Sequence, residues 1–178
     1  CDTAYAFTGG EKLTLDSVLK QTMALAEGYP EPPLVELTGG EPLLQKETPT
    51  LLAALADRGF TVLLETSGAH DISGVDARVH RIVDLKCPSS GESERNLPDN
   101  LHHLRASDEV KCVIGTREDY DWAKTQLRQL FGKCEVLFSW VNPLEADQQS
   151  DVLKPVPKDH TPLTLSLIHI SEPTRPVM

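Results

Sequence analysis

The sequence predicts an α/β fold built on a mostly parallel sheet, and three observations carry that prediction. Short runs rich in Val, Ile and Leu alternate with segments whose apolar residues recur at helical spacing. Turn residues punctuate the joins between the two kinds of segment. The 178 residues, 39% hydrophobic and 25% charged, suit one domain large enough to bury its own core.

The elements follow in chain order. Leu13 to Glu27 carries Leu15, Val18, Leu19, Met23, Leu25 and Ala26 at helical spacing, with Thr14 able to cap its start and Gly28 and Pro30 to stop it. Leu34 to Leu37 reads as a strand. Thr48 to Asp57 reads as a helix, with Pro49 in its first turn and Gly59 just past its end. Thr61 to Leu64 and Arg81 to Asp84 read as a second and third strand. Glu109 to Ile114 is a fourth strand, Arg117 to Phe131 a helix and Glu135 to Phe138 a fifth strand. Strands separated by helical segments of this length imply βαβ units. Asn142 to Pro157, with three prolines and several polar residues, reads as loop.

Charge and cysteine usage narrow the class. A net charge of −10 argues against broad binding to nucleic acid or to an anionic membrane. No run approaches the ~20 apolar residues of a spanning helix, and no signal peptide is visible. The four cysteines, at 1, 87, 112 and 134, form no CxxC pair and no dense disulfide framework, which favours reduced thiols and a cytoplasmic setting. Cys112 and Cys134 fall in strand-like runs and are expected to be small core residues. Tyr120 and Trp122 are expected in the core, and His102-His103 on a solvated surface.

Polar clusters sit directly after the strands. Thr38-Gly39-Gly40-Glu41-Pro42 follows LVEL, Thr66-Ser67-Gly68 follows TVLLE, Lys86-Cys87-Pro88 follows RIVDL, and Ser139-Trp140 follows EVLF. Parallel sheets bind ligands at the carboxyl ends of their strands, so these loops are expected to form one rim. Gly39 and Gly40 let the backbone turn sharply and approach a ligand closely. Exposed carbonyls and the Glu41 carboxylate suit an ammonium group. Glu65 can accept hydrogen bonds from ribose hydroxyls, or simply face solvent at a strand end. Lys86 suits a carboxylate, or an ion pair with Asp84 or Glu65. Cys87 has no assignable partner base and is not expected to be a nucleophile. A Gly-Gly turn alone is common, so a non-catalytic nucleotide-binding α/β domain remains an alternative.

These residues, with Cys1-Asp2-Thr3, resemble the motifs of the radical S-adenosylmethionine superfamily and, within it, the 7-carboxy-7-deazaguanine synthase family. The resemblance spans Cys1 to Val141. It implies a partial (β/α) barrel of the radical S-adenosylmethionine type over 1–141, with 142–164 a poorly defined segment. It implies that Cys1 is the last cysteine of a C-x3-C-x2-C motif holding a 4Fe–4S cluster, and that Thr3 contacts Mg2+. Gly39, Gly40, Glu41, Glu65, Ser67, Asp84, Leu85 and Lys86 would bind S-adenosyl-L-methionine, and Thr38 the substrate. Some family members carry Ser-Pro-Lys where this chain has Asp84-Leu85-Lys86, and Trp140 falls where relatives tend to have proline.

The implied activity is that of a lyase of queuosine and 7-deazapurine biosynthesis. The reduced cluster would cleave the cofactor to a 5′-deoxyadenosyl radical, which takes a hydrogen from 6-carboxy-5,6,7,8-tetrahydropterin. Ring contraction with loss of ammonia would give 7-carboxy-7-deazaguanine. A homodimer and a flavodoxin- or ferredoxin-like electron donor are also implied, and no general acid or base is required of the sequence. Another radical S-adenosylmethionine enzyme, such as a glycyl-radical activase, is a further alternative, against which the DLKCPSSGE segment and the short barrel argue.

The two ends carry expectations of their own. The chain begins on cysteine, so the start of the protein is expected upstream, with two further cluster cysteines. Leu165 to Arg175 reads LSLIHISEPTR and resembles the translation of a sequencing-library adapter, so 165–178 is expected to be non-native. Removing 165–178 deletes Glu172 and Arg175 together, leaving the charge unchanged. With one candidate cluster ligand, the chain alone is expected to hold no stable cluster and to be inactive.

Overall fold

The computed structural model describes residues 11–29, 33–130 and 132–141. Its frame is five parallel strands: β1 (Leu34–Leu37), β2 (Thr61–Thr66), β3 (His80–Asp84), β4 (Glu109–Ile114) and β5 (Glu135–Trp140). They lie in the order β1-β2-β3-β4-β5, so each strand pairs with its sequence neighbour and no switch point interrupts the sheet. Parallel crossovers are overwhelmingly right-handed, which puts successive connections on one face. Sequential parallel order is therefore the pattern of an open (β/α) barrel segment, distinct from a doubly wound sheet whose order reverses.

The helices are α1 (Leu15–Ala26), α2 (Thr48–Asp57), α3 (Asn100–His103) and α4 (Arg117–Leu127). The Thr14 side chain accepts from the Ser17 amide and caps α1, as expected. At α4, Thr116 and Asp119 form a reciprocal capping box. Strand and helix bounds match the sequence reading at β1, β4 and α2, while β2 and β5 each run two residues further. The expected helix to Phe131 leaves α-geometry at Leu127 and tightens into a 3-10 turn over Arg128–Leu130.

The two faces of the sheet differ. Val62 and Leu64 of β2, Val83 of β3, Val110, Cys112 and Ile114 of β4, and Phe138 of β5 are all buried in one core with Leu52 and Leu55 of α2 and Ala123 and Leu127 of α4. The intervening residues, including Glu65, Asp84 and Lys111, lie half-buried on the opposite face. That face carries these charged residues together with the half-buried Leu63, Ile82, Val113 and Leu137.

At the amino ends of β3 and β4 a buried ion pair braces the frame. Arg81 and Asp108, at 3% and 0% side-chain exposure, are joined through the Arg81 Nη2 and Nε atoms. Arg81 also donates to the Ile72 and His103 carbonyls, and Arg105 adds a contact to Asp108 and donates to Ala77 and Val79. A charge this deep persists only when its hydrogen-bonding capacity is met, and here it is.

Cys112 and Tyr120 are core residues as expected, and Trp122 packs against the core. Cys134 packs half-buried against the core as expected, but just before β5 and not within a strand. Ser139 and Trp140 are likewise the last residues of β5, not a loop beyond it. His102 and His103 are exposed as expected, but on the short helix α3. On α1 only Leu19 is buried, while Met23 and Leu25 are exposed. No helix among the described residues is long and apolar enough to cross a membrane.

Candidate functional site

The carboxyl ends of β1 to β3 bring the expected site residues onto one rim. Gly39 and Gly40 both adopt positive φ, at 86° and 55°, directly after β1. Glycine is the residue that occupies such angles freely, and the turn it makes here sends the chain back across the end of β2. Pro42 then opens a 3-10 turn, and the Thr48 hydroxyl, at the start of α2, donates to the Pro42 carbonyl at 2.6 Å.

Glu41 is bound within the chain. Its carboxylate accepts from the Leu43 amide (3.0 Å), the Thr66 hydroxyl (2.9 Å), and the Ser67 amide and hydroxyl (2.8 and 2.5 Å). Burial opposes its ionisation, but these bonds outweigh burial and hold the carboxyl below its ordinary range. Glu41 thus clasps the β1 loop to the β2 loop, and Ser67 is its partner in the clasp. What the glycine turn leaves facing the rim is backbone.

A second polar row crosses the open face of the sheet. The Thr38 hydroxyl donates to Glu65 Oε2 at 2.9 Å, and Lys111 Nζ lies 3.2 Å from Glu65 Oε1. Next to it, Lys86 Nζ lies 2.7 Å from Asp84 Oδ2, so Lys86 takes Asp84 and not Glu65 as its ion-pair partner. The other Asp84 oxygen, Oδ1, is buried with no hydrogen-bond partner among the described residues. An orphaned buried acceptor at a strand end is a place for a donor from outside the chain.

The Asp84-Leu85-Lys86 segment is held from three sides. The Leu85 amide donates to the Lys111 carbonyl at 2.8 Å. Asn96 accepts from the Lys86 amide (3.0 Å) and donates to the Lys86 carbonyl (2.9 Å). Beyond it, Asp119 accepts from the Ser89 amide and hydroxyl and from the Gly115 and Thr116 amides, binding the β3 loop to the start of α4. These bonds outweigh burial and lower the Asp119 carboxyl. Cys87 and Cys112 are buried free thiols, and the neighbouring Cys87 thiol together with burial pushes the Cys112 thiol well up, away from the reactive thiolate form.

Cys1 and Thr3 lie outside the described residues, and among the described residues no group of three or more His, Cys, Asp or Glu is arranged to hold a metal ion.

Comparison with known proteins places this rim in context. The 7-carboxy-7-deazaguanine synthase of Chlorobaculum tepidum is 42% identical over 144 residues, 78% of this chain and 63% of that protein. That of Koribacter versatilis is 43% identical over 130 residues, 72% of this chain and 56% of that protein. The chain is a homologue of the 7-carboxy-7-deazaguanine synthases. The likeness extends to the synthase of Thermoplasma acidophilum, 36% identical over 125 residues.

The chain spans about six-tenths of the length of the synthases it matches, between 56% and 63% for these three. No family model matches it. A solved structure of TYW1 with a lysine-pyruvate adduct bound aligns at a TM-score of 0.46 and 14% identity, over 74% of this chain and 52% of that one, too loosely to add to the topology.

For this synthase homologue, residue type and position after a strand singled out the glycines, Glu65 and Lys86, the family resemblance added Thr38 and Asp84, and the fold gathers them. Lys111 and Asn96 were missed. The signal for Lys111 was a charged residue inside the otherwise apolar run VKCVI, on the face that alternation assigns opposite Cys112. Asn96 gives no such signal, because its partner is a backbone ten residues away.

Proposed function

We propose that this chain is the core of a 7-carboxy-7-deazaguanine synthase, converting 6-carboxy-5,6,7,8-tetrahydropterin to 7-carboxy-7-deazaguanine with loss of ammonia. The observation that carries the reading is the Thr38–Glu65–Lys111 row, set beside a positive-φ glycine turn and the Asp84–Lys86 pair on one rim. The synthase homology supports the same conclusion.

The rim fits S-adenosyl-L-methionine in the chemistry of its donors and acceptors. Backbone at Gly39 and Gly40 would receive the amino group of the methionine end. Glu65 would accept from the ribose hydroxyls, and Asp84 Oδ1 would gain the donor it lacks among the described residues. Lys86 would share its charge between Asp84 and the ligand carboxylate, while the Leu85 backbone lines the same edge. Ser67 would act on the ligand indirectly, by fixing Glu41 and through it the glycine turn. Thr38, already bonded to Glu65, would bring substrate and cofactor into contact with one hydroxyl.

When bound beside a reduced iron–sulfur cluster, S-adenosylmethionine supplies the hydrogen-abstracting radical chemistry that a ring contraction of this kind requires. The chain's own residues bind, orient and exclude water. Cys1 belongs to the proposed 4Fe–4S ligand set and Thr3 to the Mg2+ site. A flavodoxin- or ferredoxin-like donor, a homodimer, a cytoplasmic setting and carbon–nitrogen lyase chemistry complete the proposal. Residues 1–141 would form its core, 142–164 a following segment and 165–178 a non-native tail. The chain alone, with one cluster cysteine, would be inactive.

The test is anaerobic reconstitution of the complete gene product with iron and sulfide. Reductant should then drive cleavage of S-adenosylmethionine to 5′-deoxyadenosine, and E65A should reduce that cleavage by at least tenfold. A colourless protein that binds nucleotide without cleaving it would favour the non-catalytic binding domain.

A further inference from the structure

We propose that Lys111 is a positioning residue that holds the Glu65 carboxylate in the orientation needed to select a ribose over a deoxyribose. The proposal rests on the nucleoside-binding reading of the rim given above. Its basis is an ion pair that skips a strand. Glu65 lies on β2 and Lys111 on β4, with β3 between them. Across the ladder Lys111 stands opposite Asp84, and Glu65 opposite Ile82. The nearest acid in register for Lys111 is therefore Asp84, yet its ammonium passes over β3 to Glu65 Oε1 at 3.2 Å. Asp84 is meanwhile engaged by Lys86 at 2.7 Å.

The consequence for Glu65 is geometric. Thr38 grips Oε2 from the β1 side and Lys111 grips Oε1 from the β4 side. A carboxylate offers about four acceptor positions, so two are used and about two remain. Those two belong to an oxygen pair whose plane is fixed from both flanks, and the Glu65 side chain is still 30% exposed. A fixed pair of adjacent acceptors matches a cis-diol, which presents two hydroxyls side by side. Without Lys111 the carboxylate is free to pivot about the Thr38 bond, and one hydroxyl becomes as good as two.

The experiment measures binding by calorimetry on the complete gene product, its cluster reconstituted anaerobically. The probes are S-adenosylhomocysteine and its 2′-deoxyribose counterpart, and the variants are K111M, K111R, E65Q and K111M/E65Q, each checked for folding by circular dichroism. The wild type should prefer the ribose form, and K111M should lose that preference by roughly tenfold, the worth of a charged hydrogen bond. K111R should recover most of it. The double variant should lose no more than E65Q alone, since Lys111 acts only through Glu65; E65Q gives this comparison its footing should K111M fold poorly. A preference unchanged in K111M, or losses that add in the double variant, would overturn the positioning role while leaving the nucleoside site standing. A wild type that binds neither probe would overturn the nucleoside site, and this role with it.

Discussion

Glu41 and Ser67, twenty-six residues apart, are bound to each other twice, through the Ser67 amide at 2.8 Å and its hydroxyl at 2.5 Å. This contact ties the loop after β1 to the loop after β2 and makes one rim of two turns. Replacing Glu41 by alanine leaves the Ser67 amide and two hydroxyls without their acceptor. We expect E41A to lower stability by about 1–3 kcal/mol and to weaken S-adenosylhomocysteine binding, with E41Q intermediate. Denaturant unfolding with parallel calorimetry checks both.

Acid should unfold the protein through the same class of contact. Glu41, Asp108 and Asp119 are each held below their ordinary values of 4.5, 3.8 and 3.8 by hydrogen bonds that outweigh burial. Between the ordinary and the depressed value the unfolded chain binds more protons than the folded one, so stability rises with pH in that window. It should be complete above about pH 5 and fall progressively below. D119N should flatten the slope as well as lower the plateau by about 2 kcal/mol. Urea midpoints from pH 2 to pH 7 give the curve; a slope in D119N equal to that of the wild type would remove Asp119 from the account.

The Arg81–Asp108 pair should be the most sensitive point far from the rim. Removing one partner strands a charge in a fully buried place, and R81M or D108N should each cost about 3–5 kcal/mol. Rim function should be lost only in proportion to unfolding. A midpoint shift within measurement error would mean the pair is not closed in solution.

Gly68 offers a steric test of the β2 loop. Its φ is +73°, and a Cβ there would stand 3.0 Å from Val83 Cγ1. G68A should destabilise by about 1–3 kcal/mol. Gly74 is a matched control, with nothing within 4 Å of its would-be Cβ, and G74A should stay within about 0.5 kcal/mol of wild type. Equal melting curves for the two variants would contradict the geometry.

Local pattern made most of the frame legible. LVEL, EVKCVI and the Thr48–Asp57 helix have one periodicity each and flanking breakers, so their limits were readable. Thr66 looked like the start of a loop because polar residues end most strands; here it is buried, bonded to Glu41, and β2 continues through it. The four-residue helix α3 is too short to show any period. The glycine turn and Glu65 were visible by residue type and by position after a strand. The clasp at Ser67, the brace at Asn96 and the reach of Lys111 were not, since each joins residues ten to forty-six apart and depends on strand order that no local window contains.

The measurement that bears most directly on the whole account is product formation by the complete gene product. It would be reconstituted anaerobically and given reductant, S-adenosylmethionine, Mg2+ and 6-carboxy-5,6,7,8-tetrahydropterin, with mass spectrometry as the readout. The account predicts a new species with the mass of 7-carboxy-7-deazaguanine, released with ammonia and lost in E65A. Cleavage of S-adenosylmethionine with the pterin recovered intact would contradict it, and would direct attention to a different substrate for the same rim.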